Sequence, residues 1–309
     1  MSVEKNVRPL TFADFSGQEK TKKMLEIYIK ASHLKNECLD HILISGPSGC
    51  GKSTVANIIA NESGQHIRTF SAPAIKKISD LTEILCNVEE NDIIFIDEIH
   101  ALSRKVQEQL YFAMEQFVVD VDGEIGQERI DLPHFTLIGA TTDLGGLEEP
   151  CRNRFPITVH LTPYSKNDMT DIVRNICRTM EIEIEEDAAR MIGGSCRNIP
   201  RLANSYVRRV YDVALVLNDG AINVESVEYA FDLLDINQYG LNYNDMKYLS
   251  LLGSTAKAMG LATIANGLGI DSKSIESVIE PYLLQQGYIT KTPRGRLITN
   301  KGRQAINLL

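Results

Sequence analysis

Residues Gly46-Pro47-Ser48-Gly49-Cys50-Gly51-Lys52-Ser53 follow the pattern GxxxxGK[ST], after an apolar run (HILIS) and before a helical pattern (STVANIIANE). Chemistry explains the spacing. Gly46, Gly49 and Gly51 let successive backbone N–H groups turn inward around phosphate oxygens, Lys52 brings a point charge to the β and γ phosphates, and Ser53 offers a hydroxyl to Mg²⁺. A second group, IIFIDE at 93–98, delivers Asp97 and Glu98 at the end of an apolar run. There Asp97 would hold Mg²⁺, directly or through water, and Glu98 would orient or deprotonate an attacking water. An acidic pair after a strand is ordinarily a solvated loop, but the glycine-rich loop upstream reverses that reading. In GATTD, at 139–143, either Thr141 or Thr142 would reach a γ phosphate or the lytic water. Two further arginines fit phosphoryl chemistry. Arg154, in Cys151-Arg152-Asn153-Arg154-Phe155, is a candidate for transition-state charge supplied from outside the pocket, and Arg201, at a helix start that repels cations, has an external anion to meet.

These groups need a scaffold. Short apolar runs at 42–45, 93–96, 135–138 and 157–161, with helical patterns between most of them, predict a buried parallel sheet. After Phe117 the run VVDVDGEIGQERIDL alternates around Gly123 and Gly126 and predicts a projecting β-hairpin over about 118–131. From Tyr164 the strands stop. Helical patterns follow at 166–180, 186–193, 200–217 and 223–234, with Ser165, Pro200 and Asn223 as start signals. Beyond the linker-like NQYGLNYND, helical patterns at 244–252, 261–268 and 274–286 lead into GYITKTPRGRLIT, two β-type ends around a basic turn. That order predicts a winged-helix module.

The formal net charge is −9, but residues 237–309 carry eight Lys/Arg against four Asp/Glu, so that part is +4 and the remainder −13. A phosphate backbone would therefore meet the C-terminal part, with Lys291, Arg294 and Arg296 on the wing. Six cysteines lie scattered without metal spacing, which predicts reduced thiols. The charged start and the absence of a long apolar stretch predict a soluble protein with no membrane partner.

The chain resembles the RuvB family, bacterial motors of Holliday-junction branch migration. The resemblance runs through RPLTFADFSGQ (8–18), LDHILISGPSGCGKST (39–54), IIFIDEIHALS (93–103), LPHFTLIGATT (132–142), IPRLAN (199–204) and EPYLLQQGYITKTPRGR (280–296). The last block is the most specific. The family implies an α/β P-loop AAA+ domain with a parallel sheet (1–163), a helical lid domain (164–236) and a C-terminal winged-helix DNA-binding domain (237–309). It also implies ATP and Mg²⁺, homo-hexameric rings on Holliday-junction or duplex DNA, RuvA as partner, RuvC in the resolving complex, and a bacterial cytoplasm, beside the nucleoid. Carried over, Val7 and Arg8 match contacts to the adenine end, and Gly49, Lys52, Ser53 and Thr54 contacts to the phosphates. Glu115, Gln116 and Phe117 match a nucleotide-contact segment, Tyr164 and Arg201 the lid contacts, Thr142 the sensor hydroxyl, and Arg154 a finger offered to the neighbouring subunit's ATP.

Departures from the pattern are Ser48, Cys50, Ala101 and Asp143, together with Cys151 and Asn153 beside the finger and a shorter, more acidic hairpin. In the family that hairpin meets RuvA. Two rival readings remain at this point: a diverged AAA+ loader or remodeller acting on protein, and an ATP-gated DNA-binding module with vestigial hydrolysis.

Overall fold

The apolar runs at 42–45, 93–96 and 135–138 become strands buried on both faces, whereas the edge run at 157–160 buries alternate residues. In the computed structural model, which describes residues 7–123 and 126–306, helix α1 (Glu19–Lys35) precedes β1 (Ile42–Ser45). Then come α2 (Lys52–Ser63), β2 (Ile67–Ser71), α3 (Ile78–Cys86), β3 (Ile93–Asp97) and α4 (Arg104–Gln116). The hairpin strands β4 (Val118–Gly123) and β5 (Gly126–Asp131) follow, then β6 (Thr136–Thr141), α5 (Glu149–Arg152) and β7 (Ile157–His160). Five strands form a parallel sheet in the order β2-β3-β6-β1-β7. Ile42, Ile44, Ile93, Ile94, Phe95, Leu137 and Ile138 lie wholly inside it. Strand β2 is absent from the sequence reading. It is an edge strand with a half-polar face, and its Arg68 pairs with the buried Asp92 (3.3 Å) instead of adding to an apolar run.

The predicted hairpin is present, with Asp120 and Arg129 paired across it (2.9 Å). Its turn residues Glu124 and Ile125 lie outside the described residues, as do the side chains of 122–127.

Two compact units divide the chain: the first runs to Asp168 and includes Ile199–Arg201, and the second comprises Met169–Asn198 and everything from Leu202 onward. The second unit contains most of α6 (Lys166–Met180), α7 (Glu186–Ser195), most of α8 (Pro200–Leu217), α9 (Val224–Leu233), α10 (Tyr243–Gly253) and α11 (Leu261–Leu268). A short α12 (Ser272–Ser274) runs through a π turn into α13 (Glu280–Gln285), and β8 (Ile289–Thr292), β9 (Gly295–Ile298) and α14 (Asn300–Ala305) end the unit. Caps fall where the sequence places them. Asn223 accepts from Ser226 N–H (2.9 Å), and Ser165 Oγ accepts from Asp168 N–H (3.1 Å).

The segment read as a linker is instead fastened. Arg197 pairs with the buried Asp245 and donates to Gly240 O (3.1 Å), and Asn237 donates to Ala305 O (3.2 Å). Burial raises the Asp245 pKa, and Arg197 opposes that shift. A linker pattern of Asn, Gly and Tyr does not reveal a partner fixed by an arginine some forty residues upstream.

His41 joins α4 to the sheet and carries a testable consequence. Its Nδ1 accepts from Leu137 N–H (2.9 Å), so Nε2 bears the hydrogen and donates to Met114 O (3.1 Å). Burial, the dominant cause, pulls its pKa below 6.5. The unfolded chain therefore binds a proton that the folded chain refuses, and stability is complete above pH 6.5 and declines as pH falls below it. Thermal unfolding at pH 7.5 and 5.5 is expected to show a loss that is smaller in His41→Gln. An equal loss in both would remove His41 from the cause.

Candidate active site

The loop between β1 and α2 is built as its glycines require. Gly49 and Gly51 take φ of 80° and 98°, the left-handed region, and Gly46 N–H donates to Thr141 O (3.2 Å), tying the loop to β6. Lys52 is buried and donates to Gly46 O (2.9 Å) and Pro47 O (3.2 Å). Burial lowers its pKa, while Glu98 and then Asp97 push it back up. Ser53 and Thr54 are half-buried in the first turn of α2.

Asp97 ends β3, and its Oδ1 accepts from Glu98 N–H (3.0 Å). Glu98 adopts a left-handed backbone, φ 52°, that turns the chain sharply out of the sheet. Its Oε2 accepts from the Thr142 hydroxyl (2.8 Å) and the Thr142 N–H (3.2 Å). Thr141 does not make this contact: its hydroxyl is buried and donates to Asp143 O (2.9 Å). Of the two threonines, the structure thus joins Thr142 to Glu98. The departure at 143 acquires a local reason, since Asp143 Oδ1 accepts from Gly145 N–H (2.9 Å) and shapes the loop after β6.

Tyr164 donates from its hydroxyl to Cys50 O (3.0 Å), and its ring meets Phe15 edge-on at 6.5 Å. Burial raises the pKa of Tyr164 and also that of Cys50, which keeps the loop thiol protonated and weakens its reactivity. Arg201 and Ile199 belong to the first unit and lie over the loop. A Cβ on Gly49 would stand 2.7 Å from Ile199 Cγ2 and 3.4 Å from Arg201 Cβ. Phe15 and Ile199 fall within the blocks 8–18 and 199–204 but were not singled out, because an apolar side chain carries no chemistry of its own. Val7 is half-buried and Arg8 exposed, just ahead of a segment tied to the last turn of α2, where Asn61 donates to Leu10 O (2.9 Å).

Glu115, Gln116, Phe117 and Arg154 are elsewhere. In a parallel sheet the loop after β1 and the acidic pair after β3 share the C-terminal edge. Helix α4 returns to the opposite edge, where His41, just before β1, meets Met114 O. Arg154 precedes β7 and lies on that same far edge. It forms an ion pair with Glu115 (Nε to Oε1 2.9 Å), donates to Pro150 O (2.8 Å) and stacks over Tyr111 with 5.1 Å to the ring centre. Glu115, Phe117 and Arg154 line an open cleft of ≈ 1040 Å³ there. Residues 115–117 therefore stand away from this chain's own phosphate loop.

On the wing, Lys291 and Arg296 face each other across the β8–β9 pair. Arg296 is largely buried and donates to Glu280 (Nε to Oε1 2.7 Å) and Glu276 (2.9 Å), while Lys291 pairs with Glu280 at 2.8 Å. Glu280 is fully buried and also accepts from Tyr248 (2.9 Å). Burial alone would raise its pKa, but the bonds from Arg296, Lys291 and Tyr248 outweigh it and hold the carboxyl low. Arg296 is thus held in an ion pair inside the unit. Arg294 is exposed at the turn. An isolated bridge borders the ribbon at Met259, whose N–H and C=O pair with Arg296 at 2.9 and 2.8 Å.

A parallel sheet of this order, with its phosphate loop after β1, its acidic pair after β3 and an arginine on the far edge, defines a P-loop ATPase of the AAA+ class. Three family models match the chain: the Holliday junction DNA helicase RuvB P-loop domain at residues 7–161, the RuvB AAA lid domain at 164–237 and the RuvB C-terminal winged helix domain at 238–307. The chain belongs to the RuvB family. It is 44% identical to the Holliday junction branch migration complex subunit RuvB of Campylobacter hominis, over 99% of this chain and 92% of that protein. Among solved structures it resembles the Thermotoga maritima RuvB Holliday junction branch migration motor, with a TM-score of 0.84 at 38% identity over 97% of this chain and 98% of the other. A point variant of that Thermotoga protein superposes with a TM-score of 0.85 at 38% identity, over 97% and 98%.

Proposed function

We propose that this chain is the ATP-driven motor subunit of a Holliday-junction branch-migration complex, translocating duplex DNA as a homo-hexameric ring in recombination and repair. The observation that carries the reading is the division of hydrolytic groups between two edges of one sheet. Lys52, Asp97, Glu98 and Thr142 stand at one edge, and Arg154 at the other. One nucleotide then needs groups from two subunits, so its hydrolysis is coupled to movement at the seam. In this reading Arg154, with Glu115 through Phe117, addresses the neighbour's nucleotide. Val7 and Arg8 address the adenine end of the chain's own nucleotide, Gly46 through Thr54 its phosphates, and Tyr164 and Arg201 close over it.

Mg²⁺ fits the donor set. Ser53 and Asp97 offer hard oxygens, and no cluster of three or more His, Cys, Asp or Glu able to cage a metal occurs among the described residues, which suits an ion completed by phosphate and water. When bound, the ion neutralises charge on the phosphate oxygens. Glu98 receives a proton from the attacking water, and Lys52 stabilises charge on the γ phosphate.

The parts divide as a large ATPase domain to 163, a lid over 164–236 and a winged-helix domain from 237, the last meeting DNA. RuvA is the partner for the hairpin, and RuvC joins in the resolving complex. The location in this reading is the cytoplasm, beside the nucleoid; no described helix is long and apolar enough to cross a membrane.

Dissociation of a synthetic four-way junction with ATP and Mg²⁺, with and without a RuvA protein, tests the reading. Movement that depends on RuvA and disappears in Glu98→Gln supports it. ATP hydrolysis without junction movement under every condition would replace it with a diverged loader or remodeller. For the wing, Arg294→Ala is expected to weaken duplex binding for all sequences and to lower the salt slope by about one. An unchanged slope in a titration from low to high salt would exclude the phosphate contact.

A further inference from the structure

His100 lies between Glu98 and the strand beside it, and the bonding around it fixes which ring nitrogen bears hydrogen. The Thr141 hydroxyl donates to Asp143 O (2.9 Å), and its oxygen accepts from Asp143 N–H (3.0 Å). What remains of that oxygen is a lone pair, and His100 Nδ1 stands 2.9 Å from it. Nδ1 must therefore be the donor. The same N–H lies 3.3 Å from Glu98 Oε2, which already receives the Thr142 hydroxyl and N–H. Two hydrogen bonds from Thr142 and the His100 contact thus gather on one oxygen of the carboxylate, and none of them addresses Oε1. The ring itself is seated by the loop after β6, where a Cβ on Gly146 would come within 3.2 Å of His100 Cβ and 3.4 Å of its Cδ2.

We propose that His100 is a positioning residue for hydrolysis: its Nδ1–H bridges Thr141 on β6 to Glu98 Oε2 and fixes the carboxylate so that Oε1 receives the proton of the attacking water. This rests on the reading of Glu98 as the base. In this role His100 acts through Glu98 and not on the reacting atoms. A carboxylate freed of one of three restraints samples more orientations, and misplacement of a reacting group by about 1 Å lowers a rate by up to about 100-fold.

The test uses full-length protein. His100→Ala is expected to lower kcat roughly 30-fold, within that range, with KM and equilibrium ATP affinity unchanged. His100→Asn, whose amide nitrogen stands where Nδ1 stood, is expected to restore most of the rate, whereas His100→Gln, whose amide reaches the Nε2 position, is not. In a Glu98→Gln background, His100→Ala is expected to add no further loss, since the group it positions is gone. Wild-type kcat in His100→Ala beside an inactive Glu98→Gln would overturn the role of His100 and leave Glu98 intact. Full turnover in Glu98→Gln would overturn the base assignment itself. A loss that falls on ATP affinity, or that asparagine fails to restore, would make His100 structural only.

Discussion

Arg154→Ala is expected to hydrolyse ATP roughly 1,000-fold more slowly than the parent chain, because an arginine supplied to the transferring phosphoryl group is worth that much in related chemistry. The protein should still bind ATP, since Lys52 and the loop around it are untouched and Arg154 lies on the far edge of the sheet. Mixing separates a role in the same chain from a role toward a neighbour. Lys52→Ala subunits have an intact finger and Arg154→Ala subunits an intact loop, so mixed rings contain seams with both. Steady-state ATPase above that of either variant alone is the expected result. No recovery at any mixing ratio would remove the assignment to the neighbouring site. Loss of Arg154 also leaves Glu115 without its ion pair, but Glu115 is about half exposed and water replaces the guanidinium at small cost.

Glu98→Gln is expected to lower single-turnover hydrolysis by roughly 100-fold to 10,000-fold, the range of a general base, while ATP binding persists. Glutamine fits the same pocket and still accepts from the Thr142 hydroxyl, so folding is spared. What it loses is the capacity to take a proton. The left-handed backbone at Glu98 argues for a functional placement, since a non-glycine residue there costs of order 1–3 kcal/mol that the surroundings must offset. Retention of the parental rate in a quench experiment would require another group to activate water.

Groups that depend on local spacing were legible before the structure. The phosphate loop, the acidic pair and the threonine pair follow strands marked by uninterrupted apolar runs, and those strands appear in the predicted places. Edge strand β2 escaped because its outer face is polar. The choice between Thr141 and Thr142 needed coordinates, since Thr141 ends β6 with its hydroxyl turned to Asp143 O while Thr142, in the bend beyond, meets Glu98. The partners of the wing charges needed coordinates for a different reason. Lys291, Arg294 and Arg296 look alike in sequence, yet a buried glutamate from a preceding helix claims two of them. Glu115 through Phe117 end a helix that returns to the opposite sheet edge, and a motif that matches a nucleotide contact does not say whose nucleotide it contacts.

The placement of the loop on one edge and Arg154 on the other fixes the symmetry open to an assembly that shares sites in this way. Where the loop edge of one chain meets the Arg154 edge of the next and not the reverse, the contact is heterologous and has no two-fold axis. A pair of chains would hold one complete site and one incomplete one, and an open row would always end on an idle subunit. Repeated head to tail, such a contact either closes into a ring or continues as a helical filament. Closure is the arrangement that gives every bound ATP an arginine and leaves no unused face from which polymer could grow.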